Sequence, residues 1–437
     1  METTQKSARF INSISLKLGL IVILSLLLLI PTILIRKLID ERQSRRNEAI
    51  FEVTSKWGQA QTLFAPVIIV PYEIYEKTST NTFVTRKYYM HILPDSLEIT
   101  GTVSPEIRKR GIYKVTLYCA DIGLYAVFGN EIYSDWPDTP DRILWNEAVI
   151  TIGVSDLKGL DKISNIEWNN KKLSIDGGIP FPCDVPTGFY APVKILPEGK
   201  NELQLQFTLK GSESLHFIPA GKSTQINLSS EWTSPSFDGS TLPDIHKITD
   251  KGFSAEWNVL HISRPFPQKW NNNAYGYQIA ESGFGVNFFI PVDIYQKTTR
   301  SVKYALLFIG LTFLTIFFIE VISKKRIHAI QYLLTGVALV IFYSLLLSVS
   351  EHLPFGWSYL LASAGILALI ASHIQALFKK RSFTLITLGI LAVLYGFLFA
   401  ILHLSDLALL MGNIGLFIIL AIVMFFSRKI DWYNERN

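Results

Sequence analysis

The sequence predicts a membrane protein of the α+β class: six transmembrane helices, one N-terminal and five C-terminal, with a large mainly-β, sandwich-like domain between the first and the second. Three observations predict it. Hydrophobic residues fill 49% of the 437 positions and charged residues only 18%, against ~25% charged in ordinary soluble domains. The apolar excess is gathered at the two ends of the chain, leaving a polar stretch from Asp40 to Arg300. Inside that stretch the hydrophobic period is two, the signature of half-buried strands.

The first element is a nearly unbroken apolar run from Leu16 or Leu18 to Ile35, interrupted by Gly19, Ser25, Pro31 and Thr32. It has about the ~20 residues a helix needs to cross hydrocarbon. Lys6, Arg9 and Lys17 give it a positive leader, but no small-residue cleavage site follows Pro31, so it reads as an uncleaved anchor rather than a removed signal. Residues 1–35 are therefore a cytoplasmic leader and first span. Residues 36–60 continue as an amphipathic juxtamembrane helix, because Ile35, Leu38, Ile39, Ala49, Ile50 and Val53 recur at helical spacings on a charged background.

Residues 61–300 form the β-rich domain. Leu203, Leu205, Phe207 and Leu209 alternate with Gln204, Gln206, Thr208 and Lys210, and Tyr113, Val115, Leu117 and Cys119 alternate in the same way. Further strands are expected at 67–75, 88–93, 97–103, 148–154, 223–230, 253–260 and 284–290. Many short strands with turn residues between them predict a mainly antiparallel sandwich or a pair of stacked sheets. The Asn- and aromatic-rich piece from Trp270 to Tyr277 reads as a loop.

Residues 301–427 hold five more apolar segments, at 304–322, 329–349, 357–378, 383–402 and 405–426, followed by a cytoplasmic tail, 428–437. Lys324, Lys325 and Arg326, then Lys379, Lys380 and Arg381, then Arg428 and Lys429 mark alternate breaks, whereas the breaks near Glu351 and His403 carry no Lys or Arg. Positive loops stay cytoplasmic, which places both termini in the cytoplasm and the β-rich domain outside it. The cations from Arg36 to Arg46 oppose this locally, but a long domain translocates largely regardless of its charge.

The 41 basic and 36 acidic side chains leave a net charge of +5 scattered in short clusters, so nucleic acid is not an expected partner. Gly221, Lys222 and Ser223 resemble the end of a phosphate loop, but His216 stands where the opening Gly belongs, and a strand-connecting turn is the better reading. No HExxH, GxSxG or GxGxxG is present, and no cofactor or metal is called for. Cys119 and Cys183 have no metal-ligand spacing and read as buried free thiols, Cys119 on the apolar side of its strand, with a disulfide across a long loop as the alternative.

Charge in hydrocarbon is costly and usually has a reason. Glu351, His352, His403 and Asp406 fall at the outer ends of neighbouring spans and form the candidate functional cluster; Glu320, His328 and His373 fall toward the inner ends. A coupling or proton-relay role competes with simple contact with headgroup water at interfacial depth, and the latter is favoured because no charge falls at mid-span.

Several stretches carry a resemblance: Leu28-Leu29-Ile30-Pro31, Trp232 with Pro235-Ser236-Phe237, Gly252-Phe253 with Ala255 and Trp257, Lys303-Tyr304-Ala305-Leu306-Leu307, Gln331-Tyr332-Leu333-Leu334, Ser350-Glu351-His352, Ser405-Asp406 and Asp431-Trp432-Tyr433. In these the chain resembles the CreD family of bacterial inner-membrane proteins, also called cell-envelope integrity or colicin E2 tolerance proteins. The resemblance implies a multi-pass inner-membrane protein with a periplasmic domain, a role in envelope maintenance under wall or colicin stress, and no catalytic residues. The expected partners are the lipid bilayer, a periplasmic or cell-wall component and further copies of the chain. A small-molecule or proton-coupled transporter built on the helices is the alternative, and a transmembrane sensor a third reading.

Overall fold

A computed structural model of the chain describes residues 14–427 apart from 78–82, 135, 137–138, 185–186, 197–198, 289–293, 324 and 405–407. It divides into two compact units: Met1–Arg46 with Val292–Asn437, and Asn47–Pro291. The described helices are α1 (Ile14–Leu27), α2 (Leu29–Trp57), α3 (Gly276–Glu281), α4 (Ile294–Lys303), α5 (Ala305–Ser323), α6 (Ala329–Ser350), α7 (Phe355–Phe378), α8 (Arg381–His403) and α9 (Ala408–Ser427).

The first unit is helical. Pro31 explains the interruption between α1 and α2: it has no N–H for the Leu27 carbonyl, and its ring crowds that carbonyl. The Leu28 N–H still reaches Leu24 O at 3.0 Å. Five helical segments among the described residues are long and apolar enough to cross a membrane: Leu16–Trp57, Ala305–Ser323, Ala329–Ser350, Phe355–Phe378 and Arg381–His403. The sequence predicts six; α9 stands where the sixth is expected, with its predicted start at 405–407 outside the described residues, as are Lys324, Arg428 and Lys429.

The helix α4 was not expected. It buries Tyr295, Thr298, Ser301 and Val302 at helical spacing, but three of these four carry hydroxyls and only Val302 is aliphatic, so no apolar run announces it. Farther into the unit the packing is aromatic. Phe342 lies 4.8 Å from the ring of Tyr395 and 5.6 Å from that of Tyr359, whose hydroxyl donates to Tyr395 O at 2.7 Å.

Among the described residues the second unit holds eighteen strands: β1 (Gln61–Lys77), β2 (Phe83–Ile92), β3 (Ser96–Arg110), β4 (Tyr113–Phe128), β5 (Arg142–Ile143), β6 (Val149–Val154), β7 (Leu160–Trp168), β8 (Lys171–Lys172), β9 (Asp176–Gly177), β10 (Gly188–Pro192), β11 (Asn201–Ser212), β12 (Ser214–Ile218), β13 (Ser223–Ser230), β14 (Pro235–Gly239), β15 (Ile245–Thr249), β16 (Gly252–Leu260), β17 (Lys269–Asn271) and β18 (Phe284–Phe288). They make two sheets. A ten-stranded sheet runs β14-β18-β12-β1-β6-β10-β9, with β2, β5 and β17 off that path; an eight-stranded sheet runs β15-β16-β13-β3-β4-β11-β7-β8. Pairing is antiparallel except β1 with β12 and β3 with β13.

The sheets face each other over one core. Trp257 of β16 is fully buried and stands 5.7 Å from Phe237 of β14 and 6.0 Å from Phe284 of β18, so the two layers interlock through their aromatic rings. The expected alternation is plain in β3 from Leu97 to Val103 and in β11, where every second residue is buried. The central strands of the other sheet differ, since β6 is buried at all six positions.

Three expectations need correction or completion. The piece from Trp270 to Tyr277 is not all loop: Lys269–Asn271 pairs with β2, and α3 begins at Gly276. Gly221–Ser223 is indeed a turn, from β12 into β13, with the Gly221 N–H donating to Thr224 Oγ1 at 2.9 Å. Cys119 lies on the same side of β4 as Asp121, away from the core-facing Ala120 and Ile122. The misreading has a cause: β4 is buried on both sides from Val115 to Tyr118. Trp57 covers the outer side there, its ring beneath the cations of Arg108 and Lys210 at 4.2 and 4.9 Å. Both cysteines are free thiols in the structure.

Candidate functional site

Three of the four predicted site residues lie among the described residues, and no hydrogen bond or ion pair described there joins Glu351, His352 and His403 to one another. Glu351 follows α6, and its half-buried carboxylate accepts from the Tyr295 hydroxyl of α4 at 3.2 Å and lies 3.8 Å from Arg42 Nη1 of α2. It therefore ties three helices of the first unit together. His352 is exposed. His403 closes α8: its Nδ1 is 2.9 Å from Phe399 O and its ring packs 4.2 Å from Phe399 and 6.3 Å from Phe355. Asp406 lies outside the described residues.

Among the described residues of this unit Glu320 is the acidic side chain most enclosed, 5% exposed in the last turn of α5. Lys17 of α1 forms an ion pair with it, the Tyr332 hydroxyl of α6 donates to its Oε2 at 2.8 Å, and the Ile327 N–H donates to its Oε1 at 2.9 Å. A buried carboxylate with every partner in place holds helices in register, and removing one partner leaves an uncompensated charge. Headgroup water is not what satisfies Glu320. His328 caps α6, its Nδ1 accepting from the Ile330 N–H at 3.4 Å.

Two features of the β-rich unit escaped the sequence. The first is a niche around His91 of β2, which is fully buried, stacked on Trp270 at 5.2 Å, with Nε2 3.1 Å from Pro182 O. The Trp270 indole N–H donates to Asp184 Oδ2 at 2.7 Å. Burial pushes the His91 pKa below the ordinary imidazole range, against an opposing pull from Asp184. An isolated His in a strand gives no pattern that could have found it.

The second is an open trough of about 630 Å³ on the outer face of the eight-stranded sheet. Strand register builds it. Ile245 pairs with Glu256, Glu256 with Asn227, Asn227 with Thr100, Thr100 with Gly123, and Gly123 with Gln206, so one row crosses β15, β16, β13, β3, β4 and β11. Two residues along each strand a second row sets Ser254 beside Ser229, Ser229 beside Thr102, Thr102 beside Asp121 and Asp121 beside Thr208. Period two puts both rows on one face. The alternation of β11 and β13 was the signal; the register that joins them was not readable. Among the described residues no three His, Cys, Asp or Glu side chains converge to hold a metal ion.

A β-rich unit inserted between apolar helices of spanning length defines a multi-pass membrane protein. A family-wide sequence profile described as "Inner membrane protein CreD" matches residues 13–433. The chain is also 34% identical over 417 residues to the inner membrane protein CreD of Escherichia coli (strain K12), covering 93% of this chain and 91% of that protein. The chain thus belongs to the CreD family of inner membrane proteins. Among solved structures it is similar, at 10% identity, to an M1 zinc metallopeptidase from Deinococcus radiodurans (TM-score 0.24, 45% of this chain and 42% of that one) and to leukotriene A4 hydrolase from Saccharomyces cerevisiae (TM-score 0.20, 42% and 29%). The matches span less than half of those enzymes, and likeness at that level carries no argument about fold or activity.

Proposed function

We propose that this protein supports envelope integrity, and tolerance of wall stress and colicins, through its β-rich unit, without catalysing a reaction. In this reading the unit lies in the periplasm, six helices anchor it, both termini are cytoplasmic, and its partner is a periplasmic or wall component or a further copy of the chain. The observation that carries the reading is the trough: an open volume of about 630 Å³ whose outward side chains are hydroxyls, amides and carboxylates, with Ile245 at one end. Such a surface suits holding a ligand at a water-exposed face rather than enclosing a reaction. The ionisable groups of the helical unit support it by contrast, since Glu320 and Glu351 are engaged in tying helices together.

The test is complementation in cells that lack their own copy. Thr100→Lys with Thr102→Lys in the full chain should abolish protection against a wall-active drug while the protein accumulates normally. Unchanged protection would overturn the reading. A phosphatase fused after Gly188 should be active only where it is exported; a reporter working in the cytosol there would remove the periplasmic assignment.

A transporter is the second reading, and Tyr343 favours it. Its hydroxyl is fully buried in the helical unit with no hydrogen-bond partner among the described residues, a group that would bind a passing proton donor or solute. Tyr343→Phe should leave protection intact on the first reading and lower it tenfold or more on the second.

A further inference from the structure

We infer that the trough on the outer face of the eight-stranded sheet binds a neutral glycan, laid across the strands. This rests on the envelope reading and names its ligand.

Length comes first. The two rows cross from β15 to β11, five inter-strand steps of ~4.8 Å, or roughly 24 Å. That matches an extended chain of several sugar rings better than a single small molecule. Chemistry comes second. Thr100, Thr102 and Ser229 offer hydroxyls, Asn227 and Gln206 offer amides, and each of these can both donate and accept. A chain bearing hydroxyls on every ring makes the same double demand at each step.

Charge decides against the rivals. The two carboxylates in the trough, Asp121 and Glu256, keep accepting capacity while already bound by Thr208 Oγ1 at 2.7 Å and Gln225 Nε2 at 3.0 Å. No Lys or Arg lines it, so along its floor a polyanion would meet these two carboxylates and no cation. Lysines stand instead at the ends of the second row, Lys247 beside Ser254 and Lys162 beside Thr208. A polycation would meet these at both rims. An extended peptide would need either a free strand edge or apolar side-chain pockets. The strands under the rows are paired on both sides from β16 to β11, and the outward side chains there are polar.

Gly123, fifth of the six positions from Ile245 to Gln206, leaves a gap in the row, and a Cβ placed on it would come within 2.9 Å of Thr100 Oγ1.

The test uses the full chain in lipid nanodiscs and chitohexaose as the neutral glycan, with hexaglutamate and hexalysine as charged controls. Calorimetry should show saturable binding with a Kd of about 1 mM or tighter, at least tenfold stronger than for either charged peptide. Asn227→Ala with Gln206→Ala should weaken it fivefold or more at an unchanged melting temperature. If that pair fails to fold, Ser229→Lys, a change at an exposed position, should have the same effect. No saturable heat, equal binding of a charged peptide, or full binding by a folded variant overturns the assignment. Cell survival is a separate readout. Protection intact with glycan binding absent overturns the glycan and leaves the envelope reading standing; glycan binding intact with protection absent does the reverse.

Discussion

The two sheets of the β-rich unit share a core, yet their backs are built to opposite ends. In the ten-stranded sheet β6 is buried at every position, and in β1 Val67, Ile68, Ile69, Val70 and Tyr72 are all at most 1% exposed. Connections from elsewhere cover it: Trp136, after β4, stands edge-on to Tyr72 at 5.3 Å, and Phe181 stacks on Tyr89 at 4.9 Å. The eight-stranded sheet keeps its back open along the trough from β15 to β11 and is covered at Trp57. A sheet covered on both faces is scaffold; a sheet left uncovered on one is where something else can bind.

That contrast can be broken experimentally. Tyr72→Ala empties a fully buried site in the covered sheet and should cost about 3–5 kcal/mol, read as a large fall in melting temperature. If the loss is under ~1 kcal/mol, the covering loops are not packed as described. In the helical unit Glu320→Ala strands Lys17 and should lower stability by about 3 kcal/mol, whereas His352→Ala at an exposed position should be nearly silent; detergent-resistant accumulation separates them.

His91 belongs to the covered sheet and tests it by pH. Its pKa is lowered in the folded protein, so below the ordinary value of ~6.5 the unfolded chain takes up a proton that the folded one resists. Stability should therefore be complete above that value and fall as pH drops, by up to ~1.4 kcal/mol per pH unit. His91→Gln should flatten the profile between pH 7 and 5, and an unchanged slope would refute the burial argument. Smallest of all, Thr102→Ala on the open back should shift stability by less than ~0.5 kcal/mol.

The legible parts of this molecule are those with short-range causes. The apolar runs gave the spanning helices, and strict alternation gave β3, β11, β13 and β16, because both periods repeat within ten residues. What stayed hidden depends on distant partners. Lys17 meets Glu320 across 303 positions of chain. The rows of the trough join residues near 100, 123, 206, 227 and 256, and no local window contains them. Glu351 could be picked out as an ionised residue between spans, but Tyr295 and Arg42, which occupy it, could not. At Cys119 the alternation itself misled, because Trp57 buries the side of β4 that a two-sided pattern assigns to the core.

The two parallel pairings also set an order of events. Gln61 lies beside Leu215, and Ser96 beside Ser223. Neither layer can close until the chain has been made as far as β13, so the first strands must wait without their neighbours while later segments emerge, a slow and exposed interval for so non-local a fold. The rate of synthesis, rather than the native packing, governs how long these apolar strands remain open to proteases and to one another.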